Sequence, residues 1–250
     1  VLSRPHFQNK LLSLVPSAEL DVLLRSLEAI DLPKGFVIAK IKTPIKYVYF
    51  PASGLGSIVS VSPLGEKAEA GMFGYEGFGP TPPAAGSSRS YHEVVIQSEG
   101  HGHRMSVDAL WAAMDLCPNF AKLLARSSHN LATQVSYTAL CNAVHHIDER
   151  LTRWLLMSHD RLREDELRIT HEYLSLMLAV RRTSVTDALH VLEGKHFIRA
   201  ERGKVTIRDR SAMEAFARDL YGRPEAEYAD LFGTSFGLVD GAHALPLGKA

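Results

Sequence analysis

Apolar residues recur at helical spacing near the start of the chain, change to short strand-like runs between residues 32 and 105, and return to helical spacing afterwards. Asn9 to Ile30 reads as two helical pieces, with Leu11, Leu12 and Val15 in one and Leu20, Leu23, Leu24 and Leu27 in the next. Pro16-Ser17 divides them, and Ser17 suits the cap of the second. Strands are predicted at Phe36–Ile41, Lys46–Phe50, Gly56–Val61, Ala68–Phe73, His92–Gln97 and His103–Met105. Turn signals such as Pro33-Lys34-Gly35, Pro63–Gly65 and Pro80–Ser88 separate them, and this texture predicts a sandwich or barrel. Ser106 to Ala113 reads as a short helix and Pro118 to Val144 as a long one. A new apolar pattern begins at Leu151, Leu155 and Leu156, so Cys141–His146 is the expected hinge.

The stretch from Ile169 to Ile207 has the most specific pattern. Leu174, Met177 and Leu178 mark one short helix, with Thr170 as its cap and Glu172 in its first turn. Ala179, Val180 and Arg181 form the turn. Val185, Ala188, Leu189 and Leu192 then give a second helix a narrow apolar stripe. Its other face carries Arg182, Thr183, Thr186, Asp187 and His190, and Gly194 suits its end. Phe197–Ala200 and Lys204–Ile207 read as a hairpin turning at Arg202-Gly203. This layout is a winged helix-turn-helix, whose second helix can enter a DNA major groove. Ser211–Leu220 and Pro224–Phe232 read as small closing helices.

At these residues the sequence resembles the Crp/Fnr superfamily of bacterial transcription regulators. The resemblance runs through Thr170, the apolar residue at 174, Arg182, Val185, Leu189, Leu192-Glu193 and the apolar pair at 197–198. It departs at Thr183 and Asp187, where that family often has an acid and an arginine. More weakly, Tyr47–Pro51 with Gly54, Glu69–Gly71 and Gly74–Gly79 look like landmarks of the family's sensor domain. The implied fold is α+β: an N-terminal jelly-roll β-barrel like that of cyclic-nucleotide-binding proteins, a long dimerisation helix and a C-terminal winged helix-turn-helix. The expected boundaries are 1–117, 118–146 and 147–234, with a loosely ordered tail at 235–250.

Charge sharpens this picture. The chain is neutral overall, but residues 1–149 hold 12 basic against 13 acidic side chains, residues 150–210 hold 13 against 9, and residues 211–250 hold 3 against 6. A local basic surplus over the helix-turn-helix is the electrostatic footprint of phosphate contact. The DNA-binding candidates are Thr170, His171, Arg181, Arg182, Thr183, Ser184, Thr186, Asp187 and Lys204. On the long helix, Phe120, Leu124, Ser127, Leu131, Val135 (or Gln134) and Thr138 follow a seam-like spacing and are the dimer-interface candidates. A second line, Leu123, Tyr137, Leu140, Cys141 and Val144, is then expected to face the chain's own barrel.

A nucleotide site in the barrel would need a glycine-rich loop, an acid for the ribose and an arginine for the phosphate. Gly71, Gly74, Glu76, Gly77 and Gly79 with Arg89 and Ser90 are the effector-pocket candidates. Arg89-Ser90 comes about two residues early, and Pro80, Pro82 and Pro83 interrupt the helix expected there, so a cyclic nucleotide is not expected. His101 and His103 lie two apart and His145 and His146 are adjacent, but neither pair has a third ligand nearby in sequence, and no metal is expected. Cys117 and Cys141 are the only cysteines, too few for a four-thiolate iron–sulfur cluster and in keeping with a reducing cytoplasm. No leader-like or membrane-spanning run occurs. No enzyme motif appears. The expected partners are double-stranded DNA, a second copy of the chain, RNA polymerase and a small-molecule effector. The alternative is a cyclic-nucleotide or other small-molecule receptor whose main output is protein contact.

Overall fold

The computed structural model describes residues 7–237. The chain divides into two compact units, Val1–Val135 and Ser136–Ala250. The first contains helices α1 (Lys10–Ser13), α2 (Ser17–Leu23) and α3 (Val107–Leu116), seven strands, and most of the long helix α4 (Pro118–Val144). The strands are β1 (Glu28–Leu32), β2 (Val37–Ala39), β3 (Tyr47–Pro51), β4 (Leu55–Val61), β5 (Lys67–Phe73), β6 (Glu93–Ser98) and β7 (Gly100–Ser106). They form two antiparallel sheets, β1-β7-β3 and β2-β6-β4-β5. One correction arises here: the helical spacing expected to run on to Ile30 stops at Leu23, and Glu28–Leu32 pairs with β7 instead. Alternating burial on one edge strand imitates helical periodicity over so few residues.

Ile58, Phe73, Val94 and Val107 form part of the core, and Leu131 of α4 packs against it. Phe120 of α4 meets Phe50, which stacks on Phe78. At the β4–β5 pairing the register slips by one residue, so that Ile58 faces Gly71 and Val59 faces Glu69. This bulge bends β5 where it meets α4. A side chain at Gly71 would crowd Gln134, Leu131 and Val135 of the helix. In the space left open, Gln134 accepts a hydrogen bond from the Met72 N–H at 2.8 Å and donates to the Met72 carbonyl at 3.1 Å.

These contacts bear on the assignment of the two helix lines. Phe120 and Leu124 are fully buried in the chain's own unit, Ser127 is buried, and Leu131 and Val135 lie against the core and Gly71. Thr138, in the second unit, accepts from Arg153 at 3.1 Å. The proposed seam is therefore the inward-facing line. Of the line expected to face inward, Leu123 and Cys141 are buried as expected, while Leu140 and Val144 are exposed. Spacing marks two apolar faces but not their partners, and the larger side chains have gone to the denser interior. The face that is exposed carries Ala125, His129, Ala132, Ser136, Ala139 and Ala143, spaced 4-3-4-3-4.

The second unit contains α5 (Ile147–Leu162), α6 (His171–Leu178), α7 (Arg182–Gly194), α8 (Arg210–Ala217) and α9 (Arg223–Phe232), with a sheet of β8 (Glu166–Leu167), β10 (Lys204–Ile207) and β9 (Ile198–Glu201). β8 was not predicted; two residues are too few to show a period. At the end of α7 the left-handed residue is His196 rather than Gly194. Buried polar groups lock α5 to the closing helices. Arg210 reaches Asp160 at 2.7 Å and the Tyr221 hydroxyl at 2.6 Å, and Arg153 holds the Leu220 carbonyl at 3.0 Å. Of the tail expected from 235, Phe236 is buried against Tyr228, and the part beyond Gly237 lies outside the described residues. Among the described residues no helix is long and apolar enough to cross a membrane.

Two outcomes follow from this packing. Gln134→Ala leaves the buried Met72 N–H and carbonyl without these partners and is expected to cost about 2 kcal/mol in denaturant unfolding. Glu225 is the second case. Burial pushes its carboxyl above the usual carboxylate value, Asp160 pushes the same way, and Arg161 and Arg153 offset only part. The folded state thus holds this proton more tightly than the unfolded chain. Its contribution favours folding below the ordinary carboxylate pKa and is lost as pH rises through the raised one. Glu225→Gln, which can still accept from the Gly222 N–H, is expected to raise the melting temperature at pH 7 and to have no such effect near ~pH 4.

Candidate nucleic-acid interface

α6 and α7 are set by local chemistry at their ends. The Thr170 hydroxyl accepts from the Tyr173 N–H at 3.2 Å and so caps α6. Ala179 takes a left-handed conformation, φ 51°, to turn the chain after α6. Arg150 of α5 donates to the Leu178 carbonyl there, satisfying one of the acceptors that a helix end leaves over. That burial lowers the Arg150 pKa by desolvation. Trp154 of α5 meets the Tyr173 ring edge-on at 6.2 Å. Neither Arg150 nor Trp154 is distinctive in sequence as a partner of this turn; only the fold brings them to it.

α7 buries Val185, Ala188, Leu189 and Leu192 and nothing else. Arg181, Arg182, Thr183, Asp187 and His190 are all exposed. Arg181 and Arg182 make no ion pair among the described residues, so both guanidinium groups are available to phosphate or base edges. Thr186 donates to the Arg182 carbonyl at 3.2 Å and lies 3.1 Å from His171 Nδ1. With the hydroxyl hydrogen given to Arg182, the imidazole Nδ1–H is the donor to Thr186. This bond ties the first turn of α6 to the first turns of α7. Ser184 is half-buried beside them. The structure thus brings His171, Thr186 and Arg182 together, while Thr170 caps α6, Arg181, Thr183 and Ser184 lie at the start of α7, and Asp187 follows in its second turn.

Lys204, unlike the two arginines, is ion-paired. Its ammonium lies 2.9 Å from Glu166 and 3.1 Å from Glu201. The bonds to Glu166 and Glu201 raise its pKa, and the bond from Lys204 lowers that of Glu201. The lysine holds β8, β9 and β10 together rather than projecting alone. Arg202, exposed at the hairpin turn with Gly203 at φ 80°, is the basic residue at the tip. Glu193 of α7 accepts from the Ala200 N–H at 2.8 Å and fixes the hairpin to the helix. Its signal in sequence was the Leu192-Glu193 pair, read above only as part of a resemblance.

The effector-pocket candidates lie in three surroundings. Gly71 is closed by α4, as described. In the Gly74–Gly79 loop the Glu76 carboxylate accepts from its own Gly74 N–H at 3.0 Å and is buried, so it caps the loop instead of facing a ribose. Gly79 pairs with Tyr49, and a side chain there would overlap the Phe73 ring. Asn9, missed in the sequence, pins the loop by donating to the carbonyls of Pro51 and Gly77, each at 2.8 Å. Arg89 and Ser90 pair with Pro44 and Ile41, and the Ser90 hydroxyl is given to the His92 carbonyl.

The histidines are also separate. His101 bonds Ser53 at 3.0 Å, while His103 packs edge-on against Phe7. Burial raises the Cys141 thiol pKa although Arg153 and Arg150 pull it down. At the hinge, burial would raise the Glu149 pKa, but hydrogen bonds from the His145 ring and the His146 N–H hold it below the usual value.

Comparison with known proteins gives the same arrangement. No curated protein matches the chain in sequence. Residues 149–216 match the Crp-like helix-turn-helix domain. Among solved structures, a protein of Eubacterium rectale assigned to the Crp/Fnr family is 17% identical, with a TM-score of 0.66 over 85% of this chain and 99% of its own. The c-di-GMP-responsive global regulator CLP of Xanthomonas campestris is 15% identical, with a TM-score of 0.61 over 77% of this chain and 99% of its own. FixK2 of Bradyrhizobium japonicum is 14% identical, with a TM-score of 0.62 over 77% and 98%. Residues 149–216 are thus a Crp-like helix-turn-helix domain, and the chain has the fold of the Crp/Fnr transcription regulators.

Proposed function

We propose that the protein is a homodimeric, sequence-specific DNA-binding transcription regulator that reads an inverted repeat with α7 and is controlled through its N-terminal sheet unit. The observation that carries this reading is the start of α7. Two exposed arginines without ion-pair partners among the described residues stand beside a polar helix face that the apolar stripe keeps turned outward. Such a helix fits a major groove, and Arg182 suits a bidentate contact to guanine while Arg181 meets phosphate. The second copy is supported by the 4-3-4-3-4 line exposed on α4, small residues apart from His129, with the spacing of a coiled-coil seam. The route of control is supported by the Gln134–Met72 contact, through which a change in β5 reaches the helix. A ligand at this unit acts only through its differential affinity for two arrangements.

Binding of the full chain to a pool of random duplexes tests the reading. An inverted repeat is expected, with half-sites about one helical turn, ~34–36 Å, apart. Arg182→Ala is expected to lose ~1–3 kcal/mol of discrimination at one position per half-site; equal losses on selected and random DNA would move Arg182 to a backbone role. Ala132→Glu or Ala139→Glu places charge on the exposed line of α4. Sedimentation should then show monomers, and the affinity for the full repeat should fall by more than tenfold, or ~1.4 kcal/mol. An unchanged dimer mass would place the subunit contact elsewhere.

A further inference from the structure

We propose that Asp187 is a specificity-determining residue, which accepts a hydrogen bond from the amino group of a cytosine in the major groove and rejects thymine at that position. The proposal rests on the DNA-binding reading above. It starts from where α7 points. With 3.6 residues per turn, the side chains diametrically opposite the stripe of Val185, Ala188, Leu189 and Leu192 are Thr183, Asp187 and His190, with Gly194 beyond them. All four are exposed. They form the outermost ridge of the helix, and Asp187 stands in its middle.

No local role accounts for an acid there. Asp187 makes no hydrogen bond or ion pair among the described residues. The residues three and four positions away are Ser184, Thr183, His190 and Val191, so no lysine or arginine stands at helical pairing distance. As the sixth residue of α7 it also lies past the first turn, where negative charge would be favoured by the helix dipole. What remains is its outward position.

A carboxylate entering a groove walled by phosphates weakens binding to any sequence unless it meets a donor. The major groove offers two donors, the amino groups of cytosine and adenine. In adenine the amino group lies beside the N7 acceptor, whose lone pair opposes a second acceptor. In cytosine its neighbour is a C–H, so the carboxylate meets a donor without a facing acceptor. Thymine turns the O4 acceptor to the same place, and guanine turns O6 and N7. Asp187 has a short side chain and needs the helix to lie close to the bases. Thr183 and Gly194, small residues on the same ridge, allow that approach, and the Thr183 methyl can meet a thymine methyl one turn earlier.

The test is selection from random duplex DNA by the full-length protein, its Asp187→Ala variant and its Asp187→Asn variant, read by sequencing. The wild type is expected to prefer cytosine over thymine roughly ten- to a hundredfold at one position in each half-site. Asp187→Ala should lose that preference, keep the position read by Arg182, and bind random DNA more tightly than the wild type. Asp187→Asn should shift the preference towards adenine, whose N6 and N7 suit an amide. If the wild type enriches an inverted repeat and Asp187→Ala enriches the same one with cytosine retained, the proposal falls while the DNA-binding reading stands. If the wild type enriches no sequence, both fall.

Discussion

The roll of α7 about its own axis is the constraint on which the rest depends. Only Val185, Ala188, Leu189 and Leu192 are buried, and they seat the helix against α5 and α6. Each larger apolar side chain contributes about 1.5–3 kcal/mol by leaving water, and Ala188 lets the backbones come close. A wider stripe would leave the roll less defined and consume polar positions. Two further contacts restrain the same roll, His171 to Thr186 and Glu193 to the hairpin, and two more fix the neighbouring α6 to α5, Arg150 to the end of α6 and Trp154 against Tyr173. Three are polar, and two of those, from Arg150 and Glu193, tie backbone groups that a helix end or loop would otherwise leave unsatisfied. The exposed face of α7 is therefore held by what lies behind and beside it.

The sheet unit answers a similar problem by a different device. α4 must lie close to β5 while keeping one face clear. A bulge bends β5, Gly71 removes a side chain at the crossing, and Gln134 forms a two-point bond with the backbone of Met72. An amide fits this place because it supplies one acceptor and one donor, matching the N–H and carbonyl that it faces. The neighbouring loop region is filled from within the chain. Glu76 and Ser90 are engaged within the chain, and the Phe73 ring fills the space over Gly56 and Gly79.

Much of the fold was legible in the sequence because its elements announce themselves locally. The long helix has the bounds that its spacing predicts, and Ser106 and Thr170 cap the helices they precede. The predicted strand runs lie within a residue or two of the observed ones, except His103–Met105, which begins three residues late in β7. What could not be read depends on partners distant in sequence. Glu28–Leu32 became a strand because β7 was there to pair with it. The two faces of α4 were visible as faces, but which one met the interior depended on Phe50 and the β5 bulge. In the interface, exposed basic residues looked alike. Arg182 and Lys204 differ only once Glu166, Glu201 and the hairpin geometry are known.

That difference has a consequence for how such a surface would meet a polyanion. A lysine already neutralised by two carboxylates brings no net charge to the duplex and displaces few of its condensed cations. For double-stranded DNA, the logarithm of affinity falls with the logarithm of salt by about 0.9 for each phosphate that is neutralised. With Lys204 engaged at Glu166 and Glu201, the hairpin contributes to that count mainly through Arg202. In the complex proposed above, the salt dependence would then fall mainly to Arg181, Arg182 and Arg202, and little of it to Lys204.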